Sequence, residues 1–291
     1  MRGGNGAQAA SIGALILWIA FTGFATLAST APFATTASFL AIVMLFGFCL
    51  VHSARRFGAK QAGILISLGV VIANIYENLS ISTGFPFGSY VHTAASGPWL
   101  FQVPIIVGPI FYSVCYLAWT LAVMILGDRG ASHPVLRTAG VPVVAAFIAV
   151  GWDICSDPIG ATIARHWIYA DSGAYFGVPL ANYLGWFLCT WTIVQSWTLY
   201  LSAASRPSAR ASLSYWYEAA GFWAAMALQY PLVLLTSASS RPVTDTGGWV
   251  WRSGDIIQSA VIMSIYTMLA AAVTGAIAAT LRDTDESGPA S

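Results

Sequence analysis

The run TAGVPVVAAFIAVGWDICS, residues 138–156, decides the fold. Its 19 residues carry one charged side chain, Asp153, and as a helix they would reach about 28 Å, close to the thickness of a bilayer's hydrocarbon core. The apolar residues follow one another without the alternation of a barrel strand, so in hydrocarbon only a helix satisfies the backbone groups. The same reading applies to Ser11–Ala28, Phe33–His52, Gln61–Leu79, Phe101–Gly127, Pro179–Leu201, Leu213–Ser237 and Gly254–Leu281. With 57% hydrophobic residues, 8% charged residues and a mean hydropathy of +0.72, the eight runs define an all-α polytopic integral membrane bundle. We expect one membrane domain over residues 1–281 and a short, disordered polar tail over 282–291. The connections are too short for a water-soluble domain, and no repeat or nucleic-acid patch is present.

Basic residues give the orientation, because they accumulate in cytoplasmic connections. Arg2, Arg55, Arg56, Lys60, Arg129, Arg137, Arg206, Arg210 and Arg282 fall on one side of an eight-helix drawing, against Arg165, Arg241 and Arg252 on the other. Both termini are therefore expected in the cytoplasm, in a multi-pass protein of the cell membrane. Small residues between Leu27 and Ala31 also fit a signal-peptide cleavage site, which would leave seven spans in the same orientation. Cys49, Cys115, Cys155 and Cys189 are scattered through apolar runs without a CxxC pair and read as small buried hydrophobes.

Four acidic side chains interrupt the apolar runs: Glu77, Asp153, Glu218 and Asp255. A charge at the bilayer centre costs about 2.5–3.5 kcal/mol on insertion scales, so such residues are usually retained for a task. The topology puts Glu77, Asp153 and Asp255 near the extracytoplasmic face. Two connections rich in Gly, Pro and aromatics, Ser80–Leu100 and Asp157–Val178, lie on that face too; within the second, Ile159–Tyr169 is apolar enough for an interfacial helix. Glu218, beside Tyr215, Trp216 and Tyr217, reads as a structural pairing residue. Asp255, three residues after Arg252, reads as a helix cap, with a place in the site as the alternative.

Three strings carry the chemistry. The first, ENLSISTGFPFGSY from Glu77 to Tyr90, ends a helix on two polar groups and turns on Gly84, Pro86 and Gly88. An aromatic belt would explain the loop, but not a carboxylate one turn inside the helix end. The second, WDICSDP from Trp152 to Pro158, sets Asp153 and Asp157 four residues apart, on one face if the helix persists; Pro158 biases Asp157 out of helical geometry and marks a helix end. Two carboxyls so placed repel as anions, the arrangement by which a general acid is kept protonated. Its structural alternative is Asp157 as a turn former and Asp153 paired with a buried Arg. The third, YFGVPLANYLGW from Tyr175 to Trp186, enters the sixth helix through Pro179 and places Asn182 and Trp186 one turn apart.

Taken together and in this order, EN…TGFPFGSY, WDxxxDP and YFGVPxxNxxGW resemble the carotenoid biosynthesis membrane family that includes the CruF-type carotenoid 1,2-hydratases and the haloarchaeal bisanhydrobacterioruberin hydratases. The likeness spans roughly residues 60–200. It implies addition of water across the terminal double bond of an acyclic carotenoid end group, giving a tertiary alcohol with no redox cofactor. The family-like positions are Glu77, Asn78, Thr83, Gly84, Pro86, Phe87, Gly88, Tyr90, Asp153, Asp157, Pro158, Trp167, Phe176, Gly177, Pro179, Asn182 and Trp186. A departure is Ile168-Tyr169, where a second Trp is expected after Trp167.

Hydration of this kind needs a proton donor, a stabilised tertiary cation and a positioned water. Asp153 or Glu77 would donate the proton; Asn78, Asn182 and the remaining carboxyls, Asp157 among them, would hold water. Trp152, Trp186, Phe87 and Tyr90 would face the cation, with Trp167 and Phe176 completing the substrate wall. Keeping an Asp neutral at pH 7 against a reference pKa of about 3.9 amounts to about 4 kcal/mol, similar to the cost of burying it charged, so the acid stays unassigned between the two. No metal or cofactor is called for, and the partners are a hydrophobic carotenoid or isoprenoid and the membrane lipids.

Other classes fit less well. His52, His92, His133 and His166 are isolated, unlike the clustered histidines of membrane di-iron enzymes. The Asp153/Asp157 pair is too sparse for the magnesium-binding motifs of a prenyltransferase, and no GxGxxG follows a strand. A lipid or isoprenoid carrier, or a proton-coupled transporter, would use the buried acids as a relay but should show repeats or paired half-helices. A carotenoid-binding scaffold would lose little on removal of the acids.

Overall fold

The computed structural model describes residues 2–94, 97–127, 135–204, 211–237 and 239–287. Arg129, His133, Arg206, Arg210 and the last four residues of the expected tail lie outside them. Among the described residues eight helical rods form the bundle: α1 (Arg2–Leu27), α2 (Ala34–Phe57), α3 (Ala59–Thr83), α4 (Val107–Leu126), α5 (Val141–Pro158), α6 (Leu180–Ala203), α7 (Leu213–Thr236) and a last rod made of α8 (Ser253–Met263) and α9 (Ala270–Ser287). π-Helical turns extend α5 at both ends (Leu136–Gly140, Ile159–Ile163), and another (Ser264–Leu269) joins α8 to α9.

Seven of these rods are long and apolar enough to cross a membrane. The eighth, α6, has the length but not the hydropathy, because Asn182, Thr190, Thr192, Gln195 and Ser196 interleave its Trp and Tyr residues. It belongs to the bundle through its packing on α5 and α3. The chain is a multi-pass membrane protein.

Helix α4 forms the centre. It packs against α2, α3, α5, α6, α7 and α9, and Phe111 to Met124 are buried without a break. A helix contacted on every side has no face to leave charged, which fits a sequence without a single charged residue. The two thiols on or beside it, Cys49 and Cys115, sit fully buried and free like Cys155 and Cys189.

Near the end of the bundle where α2 finishes and α7 begins, Glu218 forms an ion pair with Arg55 and accepts from Gln8 Nε2 at 3.1 Å. The pairing role expected of Glu218 is the one found. Asp255, by contrast, is exposed in the first turn of α8. The N-cap position itself is held by Arg252, without a side-chain capping hydrogen bond, so what Asp255 contributes is charge near the positive end of a helix dipole.

At the opposite end, three short antiparallel ribbons close the bundle: β1 (Tyr90–His92) with β4 (Trp167–Tyr169), β2 (Trp99–Leu100) with β3 (Val103–Pro104), and β5 (Pro242–Thr244) with β6 (Val250–Arg252). Here the structure corrects two expectations. Pro158 does not end its helix, and Asp157 stays helical: α5 runs through Pro158 into a π-turn, the re-registering of hydrogen bonds that a proline's missing N–H permits. The segment Ile159–Tyr169 is not one interfacial helix either. Helix stops at Ile163, Arg165 takes a positive φ of 55°, and Trp167–Tyr169 is captured as a strand by β1. The last helix continues through Arg282 to Ser287, past the point where a disordered tail was expected to start.

Candidate active site

The string ENLSISTGFPFGSY builds the first wall. Buried Ser80 donates its Oγ proton to Gly88 O at 2.7 Å and accepts from Phe87 N at 3.0 Å, folding the loop back on the end of α3. Phe87 is thereby driven into the bundle. Gly185 makes room for it: a Cβ there would stand 2.5 Å from the Phe87 ring and 2.9 Å from the Pro86 carbonyl. The chain then leaves the loop as β1.

The β1/β4 ribbon forms a lid. Its register pairs Tyr90 with Tyr169 and His92 with Trp167, and alternation along each strand sends these four side chains to one face while Val91 is left exposed. Trp167 seats on Gly160, where a Cβ would come within 2.3 Å of the indole.

Under this lid lies a cavity of about 100 Å³. Glu77 from α3, Asp153 and Asp157 from α5 and Asn182 from α6 enter it, among Phe87, Tyr90, His92, Phe111, Trp152, Trp167, Tyr169 and Trp186. All three carboxyls are buried. Asn182 Nδ2 donates to Asp153 Oδ2 at 2.8 Å and to Asp157 Oδ2 at 3.0 Å. Tyr169 donates its hydroxyl to Asp157 Oδ2 at 2.8 Å; burial, with the neighbouring Asp157 and Asp153 carboxyls, pushes that hydroxyl well above the ordinary tyrosine range, so it serves as a donor. Glu77 stands apart, accepting from the Tyr90 hydroxyl and facing His92 Nε2 at 3.5 Å. The apolar wall is rigid: Phe111 stacks on Trp186 at 4.0 Å and 8°, and Trp152 meets Trp186 edge-on at 5.3 Å.

Nine of the eleven expected site residues share this cavity: Glu77, Asp153, Asp157, Asn182, Phe87, Tyr90, Trp152, Trp167 and Trp186. Two do not. Asn78 follows Glu77 directly, about 100° round the helix, and bonds instead to Asn74 O at 2.7 Å. Phe176 does not line the cavity and packs against Trp251, its ring centroid 5.3 Å away, while its carbonyl accepts from Thr162. The residues missed from sequence are His92, Tyr169 and Phe111, with Val107, Ile110 and Ser156 completing the lining. The first two sit in Tyr-Val-His and Trp-Ile-Tyr, alternating triplets whose period of two was the available signal. Among the described residues, no group of three or more His, Cys, Asp or Glu side chains is arranged to hold a metal ion.

Fold and site define a multi-pass membrane protein with an acid-bearing, aromatic-walled chamber under a lid at one end of a helical bundle. Residues 33–240 match the family model described as carotenoid biosynthesis protein, so the chain belongs to that family. Over 130 residues it is 29% identical to a bisanhydrobacterioruberin hydratase from Haloarcula japonica, a match covering 44% of this chain and 42% of the relative. The chain thus spans less than half the length of that relative. No solved structure matches it significantly.

Proposed function

We propose that this protein hydrates the terminal carbon–carbon double bond of an acyclic carotenoid end group. The observation that carries the reading is the Asp153–Asn182–Asp157 cluster facing Glu77 in one cavity walled by Phe87, Phe111, Trp152 and Trp186. Two carboxyls on one amide favour holding a single proton between them, because both as anions would repel. That proton goes to the terminal alkene carbon that yields a tertiary cation. The cation forms against aromatic faces, where each close ring contributes about 0.5–2 kcal/mol in a desolvated setting. Water, held on Glu77, adds to the cation and gives up a proton to that carboxylate. No redox step occurs, and the reaction is that of a carbon–oxygen hydro-lyase run in the direction of addition.

A cavity of about 100 Å³ takes an end group and not a whole carotenoid, so the polyene would extend into lipid. The distribution of basic residues supports placing the chamber near the extracytoplasmic face. Family membership and the named relative support the carotenoid substrate and the hydratase class. Expression in a lycopene-producing bacterial host tests the reading. Pigment heavier by one water, lost in Asp153→Asn and reduced in Glu77→Gln, is the expected result; unchanged pigment with lycopene, C50 and monocyclic precursors alike would favour the carrier.

A further inference from the structure

Among the described residues two histidines have buried side chains, His52 and His92, and their nitrogens are treated differently. His52, among the helices, is saturated: Nδ1 meets Tyr116 Oη at 2.6 Å and Nε2 meets the Tyr215 carbonyl at 2.9 Å, with the ring stacked on Tyr215. It is a structural histidine. His92 has a side chain only 6% exposed and lines the cavity, yet among the described residues neither ring nitrogen has a hydrogen-bond partner of ordinary length. The polar group offered to Nε2 is the Glu77 carboxylate at 3.5 Å. Buried polar nitrogens are rarely left unpaired without a functional reason.

The imidazole is also held rigidly. Tyr90, Trp99 and Trp167 meet it edge-on, with centroids 5.3, 6.0 and 6.4 Å away and interplanar angles of 83°, 87° and 74°. Its backbone is fixed by the β1/β4 register opposite Trp167. The groups facing it are therefore Glu77 from α3, aromatic rings from β1, β2 and β4, and Asp153 and Asp157 through the cavity.

We infer that His92 and Glu77 form a dyad that positions the nucleophilic water and removes its proton. The inference rests on the hydration reading and assigns a residue it leaves unused. Glu77 accepts from Tyr90 and faces the His92 imidazole at 3.5 Å, and among the described residues no hydrogen bond joins it to a second carboxyl, whereas Asp153 and Asp157 share an amide. The division of labour follows: the proton is stored on the aspartates and the anion on Glu77 beside the imidazole. The aspartate pair gives its proton to the alkene carbon, and the π pair becomes the new C–H bond. The water oxygen then bonds to the tertiary carbon, and the proton it loses passes to Glu77, with His92 orienting the carboxylate. A proton returning from Glu77 to the aspartates restores the start, so the net change is addition of one water. His92 is a positioning residue, since it acts through Glu77.

The test is a double-mutant cycle on the full-length protein in lipid vesicles supplied with an acyclic carotenoid, measuring kcat and KM for wild type, His92→Gln, Glu77→Gln and the double variant. His92→Gln is expected to lower kcat about 10- to 100-fold, the value of one hydrogen bond to a charged group, with KM little changed. It should add no further loss once Glu77 is already Gln. A purely structural role predicts losses that multiply. Should His92→Gln fold poorly, His92→Asn in the same cycle carries the test. Retention of wild-type kcat in the folded His92 variants, or multiplied losses, overturns the dyad while leaving hydration in place. A folded wild type that hydrates no acyclic end group overturns both.

Discussion

Tyr90 and Tyr169 stand directly opposite each other across the β1/β4 ribbon, ring centroids 5.7 Å apart, and each gives its hydroxyl to a carboxyl on a different helix, Tyr90 to Glu77 on α3 and Tyr169 to Asp157 on α5. One cross-strand pair thus ties the two acidic groups of the chamber to a common lid. Removing either hydroxyl should perturb its own carboxyl more than its partner's. Tyr169→Phe is expected to lower turnover about tenfold, the value of one charge-assisted hydrogen bond, and steady-state hydration of an acyclic carotenoid is the readout.

Asn182 supplies both aspartates from one amide nitrogen. Asn182→Leu keeps the branched shape and removes the donor, leaving two buried carboxyls to repel each other. Turnover should fall about 100-fold, comparable to loss of one preorganised donor, while detergent size-exclusion shows the folded species.

Gly160 does not line the chamber, yet a methyl there has no room beneath Trp167. Gly160→Ala should displace β4 and destabilise the protein by about 1–3 kcal/mol, read as a lower midpoint of thermal unfolding in detergent together with lost hydration. Unchanged activity would mean that the ribbon does not shape the chamber.

The Arg55–Glu218 pair makes the opposite prediction. Its side chains are 16% and 7% exposed, and neither residue lines the chamber. Glu218→Gln should cost about 1–3 kcal/mol of stability, less than a fully buried pair would, and leave kcat of the folded fraction unaltered.

Asn78 and Phe176 separate sequence resemblance from geometry. Both match the family strings and both lie outside the cavity. Asn78→Ala and Phe176→Leu should each keep hydration within about threefold of wild type, as surface or peripheral changes do.

The division between what sequence conveyed and what it hid has physical causes. Glu77, Asp153 and Asp157 stood out because a carboxyl inside an apolar run is costly wherever the helix packs. Asn182 and Trp186 followed from one-turn spacing. His92 and Tyr169 escaped because they are delivered by three-residue strands whose partners lie more than 70 positions away, and so short an alternation carries almost no signal. Pro158 misled because the preference of a pre-proline residue is local and weak, and tertiary packing with a π-turn overrode it. Asn78 misled because motif adjacency ignores the 100° step between helical neighbours.

The central claim is that a new C–O and a new C–H bond both come from water. Purified protein in vesicles, given an acyclic carotenoid in H₂¹⁸O and, separately, in D₂O, measures this directly by mass spectrometry. The account predicts one ¹⁸O and one non-exchangeable deuterium per hydrated end, both lost in Asp153→Asn. Oxygen drawn from O₂, or label that persists undiminished in Asp153→Asn, would contradict it.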